Sequence, residues 1–298
     1  MVPYIYKNHK IIPKIFLYNY IMIKKFAVYF IVYLLYLGLL ANLFLVRKIH
    51  KKVYAPIEIK QARSLLPLRV VAELQPINGV FFHGSRHRKQ IALTFDADMT
   101  QDMKNRLASG QVKSWYNHQV IDILDQTHTK ATLFLTGMWI ETYPSEAKIL
   151  ASDPLFELGN HSYSHGSFYG KCFGLKPILS IDAAGEIEKT QKLLFDITGT
   201  TNHLFRFPGG CYDTTILKAA SKLGLDVIQW DVVSGDAFGK NTKIIEQNVL
   251  GKVQNGSIIV FHLHGGPNAP HTADALPYLI SKLRAEGYEF VKVTDLLI

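Results

Sequence analysis

The stretch Ile91-Ala92-Leu93-Thr94-Phe95-Asp96-Ala97-Asp98-Met99-Thr100 constrains this chain more than any other. Alternating apolar residues lead to two carboxylates, the pattern of a buried strand with charge at its carboxyl end. Like charges this close disfavour one another. The pair makes sense around a cation, or around a proton in transit. In α/β folds the carboxyl ends of strands are where sites are built. Three later stretches carry matching chemistry: Asn160-His161-Ser162-Tyr163-Ser164-His165, Phe205-Arg206-Phe207-Pro208-Gly209-Gly210 and Ser257-Ile258-Ile259-Val260-Phe261-His262.

Strands and helices alternate around these stretches. Residues 79–84 and 91–95 flank a polar turn at 85–90 and read as a hairpin entry. Further strands are expected at 130–136, 156–159, 204–207, 226–230, 257–261 and 290–293. Helical periodicity marks 120–126, 145–152, 181–195, 214–223, 243–253 and 273–286. Repeated βα units imply a mostly parallel sheet. Their number fits a closed or nearly closed barrel better than an open sheet. Every candidate site residue then falls at or just after a strand end.

The net charge of +9 first suggests nucleic acid or anionic lipid. Its distribution argues against nucleic acid. Residues 1–69 hold 12 of the 33 Lys and Arg and one acid, Glu58, leaving 21 bases against 23 acids in the remainder. The main domain is near neutral, so a nucleic-acid partner loses its electrostatic support. Within the basic segment, residues 26–46 run apolar, with Asn42 as the one strongly polar residue. At about 1.5 Å per residue this run spans a hydrocarbon core of roughly 30 Å. It reads as an uncleaved transmembrane anchor: it is long for a signal peptide, and no clear small-x-small site follows it. Lys and Arg flank both ends, which leaves the orientation open. Residues 1–25 form an N-terminal segment in which Met22 makes a more natural start than Met1. Residues 47–78 read as a tether and 79–298 as the main domain. Two cysteines, Cys172 and Cys211, make no disulfide framework and no C-x-x-C pair.

The charged and imidazole side chains suggest a division of labour. His161 and His165, four apart, can aim both rings at one cation. With an Asp from a strand end they make a set of two imidazoles and one carboxylate that leaves positions open for water and substrate. Arg206 lies between apolar strand residues and a Pro-Gly turn, so it needs a buried anion, and Asp96 is the candidate. Of Asp231 and Asp236, one is expected to be a helix cap or turn residue. His262 ends a very apolar strand and reads either as a buried neutral imidazole or as a proton donor. His118, His128, His264 and His271 carry no site signal of their own.

From about residue 89 to 298 the chain resembles the polysaccharide deacetylase family, also called the NodB-homology or carbohydrate esterase family 4 domain. Five motifs have counterparts in order: Thr94-Phe95-Asp96, then 160–165, Arg206-Phe207-Pro208-Gly209-Gly210, 230–238 and Val260-Phe261-His262. The resemblance implies a distorted (β/α) barrel. It implies Asp96 as general base, His161 and His165 as metal ligands, and Arg206 as the residue orienting the base. It also implies Asp236 as the partner of His262, and His262 as general acid. The turn Phe207-Pro208-Gly209 is implied to face substrate. The cofactor implied is one divalent cation, zinc first and cobalt or another ion second. The reaction implied is N-deacetylation of an amino-sugar polymer such as peptidoglycan. Alternatives are O-deacetylation, cleavage of a non-sugar amide, or an inactive, membrane-tethered glycan-binding protein. With the anchor, the expectation is a single-pass membrane protein whose catalytic domain lies outside the cytoplasm.

Two departures from the family pattern matter. Its first motif carries adjacent Asp-Asp, with the second on the metal; here Ala97 takes that place and Asp98 follows. Residues i and i+2 of a strand share a face, so Asp98 is expected to replace the missing ligand. The fourth motif ends in Asp-Trp. Here Ser234-Gly235-Asp236-Ala237-Phe238 displaces the aromatic residue.

Overall fold

The structure, a computed structural model, describes residues 76–298 apart from Ser180 and Lys240. The expected anchor at 26–46, the segment before it and nearly all of the tether lie outside the described residues. Among the described residues, no helix is long and apolar enough to cross a membrane.

The chain runs β1 (Val80–Phe81), β2 (Gln90–Ala97), α1 (Gln101–Ala108), α2 (His118–Gln126), β3 (Ala131–Leu135), α3 (Gly137–Thr142), α4 (Pro144–Ser152) and β4 (Phe156–Asn160). It continues through α5 (Ala183–Thr198), β5 (Leu204–Phe205), a 3-10 turn (Pro208–Gly210), α6 (Thr214–Lys222), β6 (Asp226–Ile228) and β7 (Val232–Val233). The last part is α7 (Thr242–Leu250), β8 (Ile258–His262), α8 (Thr272–Ala285), β9 (Glu289–Phe290) and α9 (Val293–Leu297). Among the described residues the strands pair in the order β1-β6-β5-β4-β3-β2-β8-β7, with β9 beside the start of β2. Every pairing is parallel. The expected barrel is thus a curled sheet with β1 and β7 at its edges. β1, β5 and β7 are two residues long, too short to carry a ladder right around.

β2 is the spine. It bonds to β3 on one side and β8 on the other, and seven of its eight residues are buried. Successive side chains alternate between two faces. Ile91, Leu93, Phe95 and Ala97 join the main core cluster with Trp115, Trp139, Leu276 and Leu279 of the covering segments. Each fully buried Leu, Ile or Phe there contributes about 1.5–3 kcal/mol. Ala92 belongs to a separate inner cluster with Phe134 and Ile258, and Thr94 binds the Ile259 carbonyl at 2.8 Å. Asp96 lies on that inner side. The register pairs Asp96 with Phe134 on β3 and with His262 on β8.

One expectation is corrected. The strands at 79–84 and 91–95 do not form a hairpin, because β1 pairs with β6 in parallel. The segment between them is held elsewhere. The Arg86 guanidinium donates to Asp231 Oδ2 and to the Asn255 carbonyl, both at 2.7 Å, and Gly84 N donates to the Gly256 carbonyl at 2.8 Å.

Candidate active site and metal centre

Arg206 fills the middle of the curled sheet with no exposed surface. Its Nη1 donates to Asp96 Oδ1 at 2.7 Å and to Thr94 Oγ1 at 2.8 Å. Nε and Nη2 donate to the carbonyls of Ile228 and Gln229, each at 3.3 Å. The guanidinium lies over the Phe134 ring, 4.0 Å from its centroid. Burial lowers the Arg206 pKa and Asp96 opposes that, so the group stays a cation. The sequence expected a buried anion for Arg206, and it is Asp96. The second oxygen of Asp96 is left facing the His161 ring, 3.6 Å from Nε2.

The two histidines come from the loop after β4. His161 Nδ1 lies 2.9 Å from the Arg206 carbonyl. A carbonyl can only accept, so Nδ1 carries the proton and Nε2 presents a lone pair. The loop is held by α5, whose Glu186 accepts from Tyr163 N at 3.0 Å and from Ser164 N at 2.8 Å. Asn160 Oδ1 accepts from Ser162 N at 2.8 Å. Ser162 and His165 sit in the left-handed region, at φ 63° and 56°. Such conformations cost about 1–3 kcal/mol each and gather at functional sites.

Asp98 completes the set. It lies one residue beyond β2 and, like Asp96, faces inward. Its Oδ1 is 3.1 Å from His165 Nε2 and 3.5 Å from His161 Nε2. One ligand atom from each of Asp98, His161 and His165 falls within 4.8 Å of the others. Asp98 Oδ1 and His161 Nε2 are buried with no hydrogen-bond partner among the described residues. Orphaned acceptors converging on one point are what a divalent cation satisfies. Burial pushes the His165 imidazole down, toward the neutral form that ligates. Burial also works to raise the Asp98 pKa, but the surrounding imidazoles of His165, His161 and His264 hold its carboxyl well below the ordinary range. The donor set therefore fits the cation that the resemblance implies.

His262 ends β8, beside Asp96. Its Nδ1 is 2.7 Å from Asp236 Oδ1, and its backbone N donates to Asp236 Oδ2 at 2.7 Å. Thr272 Oγ1 donates to Oδ2 at 2.8 Å. Burial alone would lower the imidazole pKa; Asp236 overrides that and pushes it up to about 10. The pairing favours the protonated ring, whose Nε2 lies 3.9 Å from Asp98 Oδ2.

A carboxylate held by a buried Arg, a cluster of two imidazoles and one carboxylate with the spacing to hold a cation, and a His paired with a buried Asp make one constellation. Residues 83–228 match the family described as polysaccharide deacetylase. Over that span, just under half of the chain, it is similar to that family. The match and the deacetylases among the relatives give the reaction class, hydrolysis of a carbon–nitrogen amide bond. A peptidoglycan-N-acetylglucosamine deacetylase of Bacillus cereus is 29% identical over 72% of this chain and 70% of its own length. The peptidoglycan-N-acetylmuramic acid deacetylase PdaA of Bacillus subtilis is 27% identical over 73% of this chain and 74% of its own. The chain spans 40% of the length of the PgdA deacetylase of Listeria monocytogenes, at 29% identity. The fold overlays the crystal structure of the peptidoglycan N-acetylglucosamine deacetylase Bc1960, bound to an N-oxidanyl-benzamide, with TM-score 0.61 and 28% identity over 72% of this chain and 91% of that one. It overlays equally, at 0.61 and 26% identity over 76% of this chain and 74% of that one, a mutant of a pseudoenzyme of the same family with restored activity.

The substrate-facing turn needs correction. Phe207 is fully buried against Phe168, Phe205 and Tyr212, and Pro208 is buried too. Neither offers a surface to a ligand, because the turn's aromatic residue fills a core cluster beneath it. Gly209 is half-buried at φ 62°, where a Cβ would meet Cys172 Sγ at 2.6 Å. Cys172 and Cys211 form a disulfide there. It braces the loop after His161 and His165 against the Arg206 turn. Of the two later acids, Asp231 is the structural one, binding Arg86, Ser257 and Ile258 N at the opposite end of β8. Two residues with roles were missed: Glu186 and His264. His264 Nε2 lies 3.2 Å from Asp98 Oδ2. Its spacing of two from His262, matching Asp96 and Asp98, was the signal available.

Proposed function

We propose that this protein removes N-acetyl groups from an extracytoplasmic amino-sugar polymer, peptidoglycan in the first place. The observation that carries the reading is the adjacency of Asp96 and His262 in register on β2 and β8, above the cluster of His161, His165 and Asp98. Those three residues would hold one divalent cation, zinc first. When bound, such an ion polarises the acetamide carbonyl and lowers the pKa of water. Asp96, fixed through Oδ1 by Arg206, takes the proton of the attacking water at its free Oδ2. His262, kept charged by Asp236, gives its Nε2 proton to the leaving amine. The peptidoglycan deacetylases among the relatives support the polymer. Phe173 and Phe238, both largely exposed, lie with ring centroids 6.0 Å apart at a tilt of 43°, beside the disulfide and the Asp236 loop. They offer a sugar ring an aromatic face in place of the displaced family aromatic.

A location outside the cytoplasm is part of this proposal. The apolar run at 26–46 would tether the domain, and the Cys172–Cys211 disulfide suits an oxidising compartment. The rival reading is an inactive glycan-binding protein, motivated by Ala97 and by the pseudoenzyme with the same fold. Binding alone needs neither a base nor an acid, yet both are present and oriented. Acetate release from N-acetylglucosamine oligomers and from peptidoglycan decides between them. The expected result is release that a chelator abolishes and a divalent cation restores. Binding of glycan with no acetate released under any metal would establish the rival.

A further inference from the structure

The metal carboxylate of this chain has an unusual mooring. The ladder of β2 ends at Ala97, paired with Leu135, so Asp98 lies just past the last residue the sheet holds. A ligand on such a segment needs another constraint to keep one oxygen on the metal point. Asp98 divides its oxygens: Oδ1 faces His165 and His161 without a hydrogen bond, while Oδ2 meets His264 Nε2 at 3.2 Å. His264 is itself immobilised. It is 3% exposed, and the Trp115 ring stands edge-on to it with centroids 6.3 Å apart. Trp115 is fully buried, and its Nε1 donates to the Met103 carbonyl at 2.8 Å. The backbone is tied on either side of this pair, with Leu263 N donating to the Asp96 carbonyl at 2.8 Å and Asn117 N to the Leu263 carbonyl at 2.9 Å. His264 thus extends β8 by two residues beyond His262, as Asp98 extends β2 by two beyond Asp96.

We propose that His264 is the positioning residue of the metal centre: its Nε2–H donates to Asp98 Oδ2 at 3.2 Å in preference to the longer 3.4 Å contact of Nδ1 with the Gly265 carbonyl, so that Oδ1 is presented to the cation shared with His161 and His165. This rests on the metal reading above. It explains how a ligand one place beyond the family's adjacent Asp-Asp position can still serve. Partners of ligating carboxylates commonly change metal affinity 10–100-fold when removed. The competing geometry also exists, since Asp98, His262 and His264 could together hold a second cation.

The test is equilibrium metal binding, read by competition with a chromophoric chelator on protein stripped of metal, with no turnover involved. Wild type should take up one zinc per chain. His264→Ala should bind it about 10–100-fold more weakly. His264→Gln, whose amide N–H can reach Oδ2, should recover most of that loss, which a mere packing defect would not allow. In Asp98→Asn, adding His264→Ala should cost little more, because the two act through one contact. Melting of the stripped proteins checks that each variant is folded. His264→Ala binding zinc as tightly as wild type overturns this inference alone. So does uptake of two zinc ions by wild type with one lost in His264→Ala, which would make His264 a ligand. A folded wild type that binds no cation overturns the metal reading as well.

Discussion

Asp96 on β2 and His262 on β8 are direct partners in the parallel register, and each has its own buried partner: Arg206 grips Asp96 at 2.7 Å and Asp236 grips His262 at 2.7 Å. The Asp96 carboxylate and the His262 imidazole are thereby set at one level of the sheet. The two should fail differently. Asp96→Asn should be inactive at any metal concentration, since an amide cannot take a proton from water. His262→Ala should keep its metal and lose about 10²–10⁴ in rate. Metal analysis of purified His262→Ala is the check: an empty site would make that residue a ligand.

Asp98 and Asp96 should likewise be inequivalent. Asp98→Asn should weaken metal binding, and excess cation should restore part of its activity. The motive is Oδ1, buried and 3.1 Å from His165 Nε2. Metal titrations followed by turnover compare the two mutants, and equal affinity in wild type and Asp98→Asn would remove Asp98 from the ligand set.

The His262–Asp236 pair also has a pH signature. The folded pKa of His262 is raised to about 10, against about 6.5 for a free imidazole. A raised value means that folding favours the protonated form. Its stabilisation is therefore complete below about pH 6.5 and fades as pH climbs through about 10. Denaturant midpoints of the metal-free protein should fall from neutral pH toward pH 10, and Asp236→Asn should flatten that slope. A wild-type midpoint that stays level would contradict the pairing.

Reduction of Cys172–Cys211, 39 residues apart, should lower stability by about 2–4 kcal/mol on chain-entropy grounds. Activity should suffer more on polymer than on a short oligomer, because the loop carrying Phe173 loses its brace against Gly209. Parallel assays with and without reductant on both substrates test this. Equal loss on both would place the aromatic pair outside the glycan path.

Much of this site was legible in the sequence because strand chemistry is local. Alternation in 91–98 announces a buried spine with both carboxylates on one side, and so it is. The partner of Arg206 followed from the cost of a lone buried cation. What stayed hidden depends on non-local packing. The separation of β1 from β2 is decided by Arg86 reaching Asp231, 145 residues away. The burial of Phe207 is decided by Phe168, Phe205 and Tyr212 closing over it. Only the spacing of two from His262 marks His264 in sequence; its role emerges when β8 is laid beside β2. The disulfide was passed over because two cysteines 39 apart carry no spacing signal.

The end of the β2 ladder at Ala97 divides the centre into two mechanical classes. Asp96 and His262 belong to strands paired at the centre of the sheet, whose amides should exchange with solvent only when the whole domain opens. Asp98 hangs from the segment beyond, which local opening can release while the sheet stays intact. Hydrogen exchange should then show the amides around Asp96 and His262 staying protected through excursions that expose Asp98. Departure of the cation would be a local event, and so would its return.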